Sequence, residues 1–276
     1  KTSLQTTTEY ITAPSTPENI QMKKIRELGK LMKGALRRNF TQSPPVEVGY
    51  IVPYKLHFVW VTQPLPTKYI ENLKTYRKFN QIYQMHLWMD NTSMESGKQV
   101  QDQISNLVVH NIDELDMVDK YLYYKADNVG VKGDILRLEV VWREGGIYCD
   151  IDSVALKPFD SNFLHSFVTF ILHPYYNLSN GAFGFPRMSN FLKFVLSNLE
   201  ENFKYESYAP SLSGPGFLTG CFLAFNDENI NMSDQEYLIH SSEGTDSKKS
   251  FTFHTADANW IKCPNPRCTT LQPTAS

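Results

Sequence analysis

Lys132-Gly133-Asp134-Ile135-Leu136-Arg137-Leu138-Glu139-Val140-Val141-Trp142-Arg143-Glu144-Gly145-Gly146-Ile147-Tyr148-Cys149-Asp150-Ile151-Asp152 is the stretch on which the reading of this chain turns. Apolar Ile135, Leu138, Val141 and Trp142 recur at helical spacing, which predicts a helix over 131–143. Gly145 and Gly146 follow, and glycine adopts the left-handed backbone that closes a helix without a steric cost. Ile147-Tyr148-Cys149 then reads as a strand that ends in two aspartates one residue apart. Alternation along an extended chain points Asp150 and Asp152 to one side. Two carboxylates so placed repel each other unless a cation neutralises them, and a hard divalent cation suits a site of carboxylate and phosphate oxygens. Such an ion would screen the diphosphate of a nucleotide donor as it leaves. On its own, an Asp-x-Asp pair also arises from two surface acids at a strand-to-loop junction. Asp134 and Arg137 lie one helical turn apart and can pair on one face. They form either an exposed ion pair, worth under about 1 kcal/mol, or a pair of hydrogen-bonding groups for sugar hydroxyls beside the metal.

Upstream, Leu56-His57-Phe58-Val59-Trp60-Val61 reads as a strand buried on both faces. Pro66 opens a helical stretch to about Phe79. Tyr83 to Met89 is a second strand, and Asn106 to His110 a third. Strands alternating with helical patterns imply βαβ units and a parallel sheet. In such sheets ligands sit at the carboxyl ends of the strands.

Residues 1–17 are rich in Thr, Ser and Pro and read as a loose lead-in. From Pro17 to Phe40, Ile25, Leu28, Met32 and Leu36 fall at helical spacing among Lys23, Lys24, Arg26, Lys30, Lys33, Arg37 and Arg38. A basic amphipathic helix of this kind packs on its own domain or lies on an anionic membrane. Ser43-Pro44-Pro45 reads as a linker, so 1–45 is expected to be a helical extension with its linker and 46–276 the main domain.

The chain has 276 residues, 41% apolar and 20% charged, and so can bury a large core without staples. A formal net charge of -2 gives no global pull toward nucleic acid. No apolar run approaches the roughly 20 residues that span a bilayer. The sequence opens on Lys1 with no secretory signal pattern and is read as a piece of a longer chain. Of Cys149, Cys221, Cys263 and Cys268, only the last two are close. No second close pair completes a zinc site. Ordinary reduced cysteines are the expectation, with a disulfide between Cys263 and Cys268 as the alternative. Asn-x-Ser/Thr sequons at Asn39, Asn91, Asn177 and Asn231 fit chance in a chain rich in these residues.

The spaced run from Gly133-Asp134-Ile135-Leu136-Arg137 to Gly145-Gly146-Ile147-Tyr148-Cys149-Asp150-Ile151-Asp152 resembles the signature of glycosyltransferases with a DXD-type sugar-binding region. That group includes the glucosylating bacterial toxins and related polysaccharide mannosyltransferases. The resemblance extends to Leu56-His57-Phe58-Val59-Trp60, to Trp88-Met89-Asp90-Asn91, to Ser179-Asn180-Gly181, to the loop Ser213–Gly220 and to His254–Trp260, covering about residues 51–262. It implies an α/β fold of GT-A type, a Rossmann-like mixed or parallel central sheet flanked by helices.

The resemblance also implies roles, residue by residue. Trp60 would stack on the nucleotide base, with Asp90 or Asn91 holding base or ribose. Asp134 and Arg137 would contact the donor sugar. Asp150 would bind ribose and sugar hydroxyls and help hold the metal, which Asp152 would bind directly. Tyr148, Ser179, Asn180 and Gly181 would line the donor site, and Trp260 would hydrogen-bond the leaving oxygen. The toxins place a Ser two residues before this Trp, where this chain has Ala258. That leaves His254 as the first choice for a third ligand, with Asn259 and Asp257 next. The ion implied is Mn2+ or Mg2+ and the co-substrate a UDP-sugar. Small Ser179 and Gly181 would leave room for an N-acetyl group, which favours UDP-N-acetylglucosamine over UDP-glucose.

The family retains the anomeric configuration, and no side chain in the matched motifs is an obvious nucleophile. The function implied is a secreted toxin or effector domain that glycosylates a hydroxyl on a host protein, with a Rho-type small GTPase as the typical target. It would act in the host cytosol at the membrane. The alternative is a bacterial cytoplasmic enzyme building capsule, lipopolysaccharide or glycan on a saccharide acceptor. A non-catalytic sugar-binding module is a third reading, against which the intact Asp150/Asp152 pair argues.

Overall fold

A computed structural model describes residues 51–171, 177–225, 230–234, 250–255 and 257. The basic helical stretch 17–40, the linker at 43–45, Asn39, Ala258, Asn259, Trp260, Cys263 and Cys268 lie outside these residues.

The elements in order are β1 (Lys55–Trp60), α1 (Thr67–Phe79), β2 (Gln84–Met89), α2 (Met94–Gln101), β3 (Leu107–Asn111), α3 (Lys120–Lys125), α4 (Val129–Glu144), β4 (Gly146–Cys149), β5 (Ser153–Ala155), β6 (Phe167–Ile171), β7 (Asn177–Phe185), α5 (Asn190–Tyr205), α6 (Ala209–Leu212), α7 (Pro215–Phe225), β8 (Asn231–Asp234) and β9 (Thr252–His254). Seven strands form one sheet in the order β3-β2-β1-β4-β7-β6-β8, and β5 pairs with β9 in a separate ribbon. The first four strands in this order are parallel. β7 then runs antiparallel between β4 and β6, and β8 returns parallel to β6. The expected α/β sheet is therefore present, and it is of the mixed kind.

Alternation on β1 sorts its side chains into two cores. Leu56, Phe58 and Trp60 join Tyr69, Tyr76, Met85, Ile147 and Phe167 on one face. Val59 and Val61 join Trp88, Ile135, Leu138, Tyr148 and Phe183 on the other. Each such side chain contributes about 1.5–3 kcal/mol when fully buried. This is why β1 reads as a continuous apolar run rather than as alternating polar and apolar residues.

Helix α4 starts at Val129, two residues before the expected start at 131. The Asn128 side chain explains this, accepting from the Gly130 and Val131 amides at 2.7 and 3.3 Å. At its other end Gly145 and Gly146 have φ of 63° and 115°, as their sequence position predicts. A Cβ on Gly145 would also lie 2.6 Å from the Arg187 amide nitrogen. The parallel register sets Trp60 beside Met89 and Met89 beside Asn111, so the carboxyl ends of β1, β2 and β3 are level. β1 has β2 on one side and β4 on the other, and the chain reverses its order there. That is the point where an open α/β sheet leaves a crevice. Among the described residues, no helix is long and apolar enough to cross a membrane.

Candidate active site

β4 ends at Cys149, and the chain turns through Asp150, Ile151 and Asp152 before β5 begins. The two acids therefore do not share a side by strand alternation, as the spacing suggested. The turn does the work instead, with the Ser153 amide donating to the Asp150 carbonyl at 3.1 Å. The Asn72 side chain holds the intervening Ile151 carbonyl at 3.0 Å.

The third member of the cluster arrives from the far end of the described chain. β9 pairs antiparallel with β5 and sets His254 opposite Ser153. His254 Nε2 then lies 3.3 Å from Asp150 Oδ2 and 3.0 Å from Asp152 Oδ1. One ligand atom from each of the three falls within 4.8 Å of the others. Two carboxylate oxygens and an imidazole nitrogen converging on one point fit a divalent ion of the Mn2+ or Mg2+ kind. Burial alone would lower the His254 pKa, but Asp150 and Asp152 push it up to about 10. That proton belongs to the metal-free site, and an ion held by the Nε2 nitrogen would displace it.

Arg137 supplies the rest. From α4 its Nη1 donates to Asp150 Oδ1 at 2.9 Å and to the Asn180 carbonyl at 2.7 Å. Its guanidinium lies 4.7 Å from the centroid of the Tyr148 ring, and the Tyr148 hydroxyl donates to the same Asp150 oxygen at 2.8 Å. Burial works to raise the Asp150 pKa, yet Arg137, then His254 and Tyr148, hold it below its ordinary value. The Asp150 carboxylate is thus oriented by three side chains, Arg137, Tyr148 and His254, before any ligand arrives.

Asp134 and Arg137 do pair, at 3.4 Å, but they form no exposed ion pair. Each side chain is 11% exposed. Asp134 Oδ1 accepts from Asn180 Nδ2 at 2.6 Å and Oδ2 from Ser213 Oγ at 2.9 Å. Burial raises its pKa to about 6 against the pull of Arg137 and the hydrogen bonds of Ser213 and Asn180. Asn180 thus bridges α4 to β7 at the heart of the site.

Its neighbours are small for a reason visible here. A Cβ on Gly181 would lie 2.6 Å from Asp150 Oδ2, and the buried Ser179 hydroxyl accepts from the Gly181 amide at 3.0 Å. Ser213 opens the loop that shares in the resemblance, but the sequence assigns it no role, because its partner Asp134 lies 79 residues away.

The remaining candidates sit at the strand ends. Trp60 is 8% exposed, with its indole nitrogen donating to the Gln63 carbonyl at 2.8 Å. Its ring packs 5.0 Å from that of Tyr69. Asn91 donates to Asp113 at 3.0 Å and accepts from Asn111 at 2.7 Å. Asp90 shapes the loop after β1, accepting from the Thr62 amide at 2.8 Å. Thr62 itself has a φ of 74°, a strained value for a β-branched residue. Asp257, a lesser choice for the metal, is engaged elsewhere: its Oδ2 accepts from Lys68 at 2.5 Å and from Tyr69 at 2.7 Å. Asn259 and Trp260 lie outside the described residues.

Residues 66–168 match the family described as the glycosyltransferase sugar-binding region containing a DXD motif. Over 136 residues the chain is 31% identical to Subversion of eukaryotic traffic protein A of Legionella pneumophila. That match covers 46% of this chain and 20% of the relative, so the chain spans about a fifth of that protein's length. In fold it is similar to the PaToxG glycosyltransferase, with a TM-score of 0.58 and 20% identity over 75% of this chain and 80% of that one. It is similar also to the UDP-bound glycosyltransferase domain from the YGT toxin, with a TM-score of 0.51 and 10% identity over 66% and 80% of the two chains. Its fold is that of the GT-A glycosyltransferases, and residues 66–168 carry the DXD-type sugar-binding region. Its DXD motif is Asp150-Ile151-Asp152. The fold places that motif at the carboxyl end of β4, beside the reversal of strand order.

Proposed function

We propose that the domain transfers a sugar, with retention of configuration, from a UDP-sugar to a hydroxyl of a host protein. The observation that carries this reading is the Asp150–Asp152–His254 cluster, already oriented by Arg137 and Tyr148. A divalent ion held by those three residues would neutralise the diphosphate as it departs. Arg137 and Asp134, fixed by Asn180 and Ser213, would orient the donor sugar. No motif residue serves as an obvious nucleophile, so catalysis rests on positioning and preset charge, with the acceptor attacking from the face the leaving group vacates.

UDP is carried over from the YGT toxin domain, which has been captured with that nucleotide. N-acetylglucosamine is our preferred sugar and glucose the next. The support is the small size of Ser179 and Gly181, although Gly181 is needed by Asp150 whatever the sugar. A Rho-family small GTPase is the first acceptor to test, by analogy with the glucosylating toxins, and the action would then lie in the host cytosol. The basic segment 17–40 would bring the domain to an anionic membrane there.

The test is nucleotide release with Mn2+ and each of UDP-N-acetylglucosamine, UDP-glucose, UDP-galactose and GDP-mannose, followed by transfer to purified Rho GTPases. Release from one UDP-sugar with transfer to a GTPase is the expected result. Transfer to saccharides and not to protein would replace the effector reading with glycan building. No release from any donor by folded protein, with or without acceptors, would overturn the reading.

A further inference from the structure

Asp257 lies three residues beyond His254 and makes contacts that no ligand role requires. Its Oδ2 accepts from Lys68 Nζ and from the Tyr69 hydroxyl, both on the first turn of α1. Its own amide donates to Asp152 Oδ2 at 3.0 Å. Two residues earlier, the Thr255 amide and hydroxyl both donate to the Asp152 carbonyl, at 2.9 and 2.7 Å. The strap of residues 252–255 and 257 is therefore fixed at one end by the β5–β9 ribbon and at the other by Asp257. His254 is the last residue of the ribbon, on the side toward this second anchor.

The anchors differ in strength. Tyr69 is 1% exposed and its ring is wedged against Trp60, so its hydroxyl is a rigid donor that loses little freedom on bonding. The Lys68 side chain is 59% exposed, and an ion pair that open to water contributes little.

We propose that Asp257 is a positioning residue, a latch that ties the strap to Tyr69 of α1 and so holds His254 at the Asp150–Asp152 pair. The latch rests on the metal reading above. It also joins the metal cluster to the Trp60 end of the crevice through a single tyrosine. A change at Tyr69 is thereby felt at His254, although no contact between them is required.

Amide hydrogen exchange on the metal-free protein, combined with Mn2+ titration by electron paramagnetic resonance, tests this. In Asp257→Ala the amides at 255 and 257 should exchange about tenfold faster, as loss of a charge-assisted hydrogen bond implies, while exchange in β1 and β4 stays unchanged. The Mn2+ concentration for half-saturation should rise about tenfold, and turnover at saturating Mn2+ should recover most of its value. Asp257→Asn keeps an acceptor for Tyr69 and should return exchange close to the native rate. Tyr69→Phe should resemble Asp257→Ala, and Lys68→Met should have the smaller effect.

Equal exchange in native protein and Asp257→Ala would overturn the latch. Faster exchange with unchanged Mn2+ binding would also overturn it, because the strap would then move without consequence for the site. A fall in turnover that saturating Mn2+ does not relieve would make Asp257 part of the chemistry and overturn the positioning role. Native protein that binds no Mn2+ would instead remove the metal reading itself.

Discussion

Arg137 Nη1 lies 2.9 Å from Asp150 Oδ1, joining the middle of α4 to the turn after β4 across 13 residues of sequence. The side chains are 11% and 21% exposed, so both charges have given up most of their hydration. Each then depends on the other, since an unpaired charge at such a depth is costly.

Replacing Arg137 by Ala should destabilise the domain by about 3 kcal/mol, the usual cost of breaking a buried pair. Lysine keeps the charge but loses the Nε bond to the Gly133 carbonyl, the Nη2 contact with Asp134 and the planar stacking on Tyr148, which one ammonium cannot supply together. Arg137→Lys should therefore recover much of the stability yet leave donor turnover about a hundredfold down, the scale of loss that a misplaced site group brings. Urea denaturation and nucleotide release measure the two effects separately. Full turnover in the lysine variant would show that the fork geometry does not matter.

Gly181→Ala tests the close approach of β7 to the motif. The new methyl would lie 2.6 Å from Asp150 Oδ2, too near for any real contact, and Asp150 is held from the other side by Arg137 and Tyr148. The carboxylate must shift, and a shift near 1 Å costs on the order of 100-fold in rate. Turnover should fall by that factor while circular dichroism stays native. A variant as active as the native domain would mean that Asp150 has another productive position.

The sequence disclosed the apolar run of β1, the α4 period, the glycine stop and the acidic pair, because each is a local pattern. It also let His254 be chosen over Asn259 and Asp257 for the cluster, through the resemblance. It did not disclose that β7 enters the sheet antiparallel beside β4, since pairing partners depend on the whole topology rather than on any segment's period. Nor did it disclose the roles of Ser213 and Tyr69, which come from a buried acceptor on α4 and an acid beyond β9. The expectation that alternation aligns Asp150 and Asp152 failed because the extended chain ends with β4 at Cys149 and turns through the motif.

Metal binding should appear as thermal stabilisation. A ligand held only by the folded state raises stability with its concentration, by about 2.7 kcal/mol at a hundredfold excess over Kd. Mn2+ should raise the Tm of the native domain by several degrees and leave that of the Asp150→Asn, Asp152→Asn double variant unmoved. The double variant should also lose transfer altogether. Equal Mn2+ shifts in both proteins would place the ion elsewhere.

Glu139 offers a pH test away from the site. It is fully buried on α4, with Oε1 accepting from the Asp119 amide at 2.7 Å. Burial pushes its pKa up to about 7 from an ordinary 4.5, although the backbone amides of Asp119 and Val118 oppose this. Between those two values the folded state keeps a proton that the unfolded chain has released, so stability falls as pH rises from 4.5 and levels off above 7. The whole change is about 3 kcal/mol from this group. Asp119, raised by burial and then by Glu200 to about 6, adds a loss of the same sign. Gln at 139 keeps an oxygen for the Asp119 amide and carries no proton to lose. Measured from pH 5 to pH 8, the Tm of the native domain should therefore drop relative to that of Glu139→Gln, and the gap should stop widening above pH 7. Parallel curves over that range would show that Glu139 is already ionised in the folded state at pH 5.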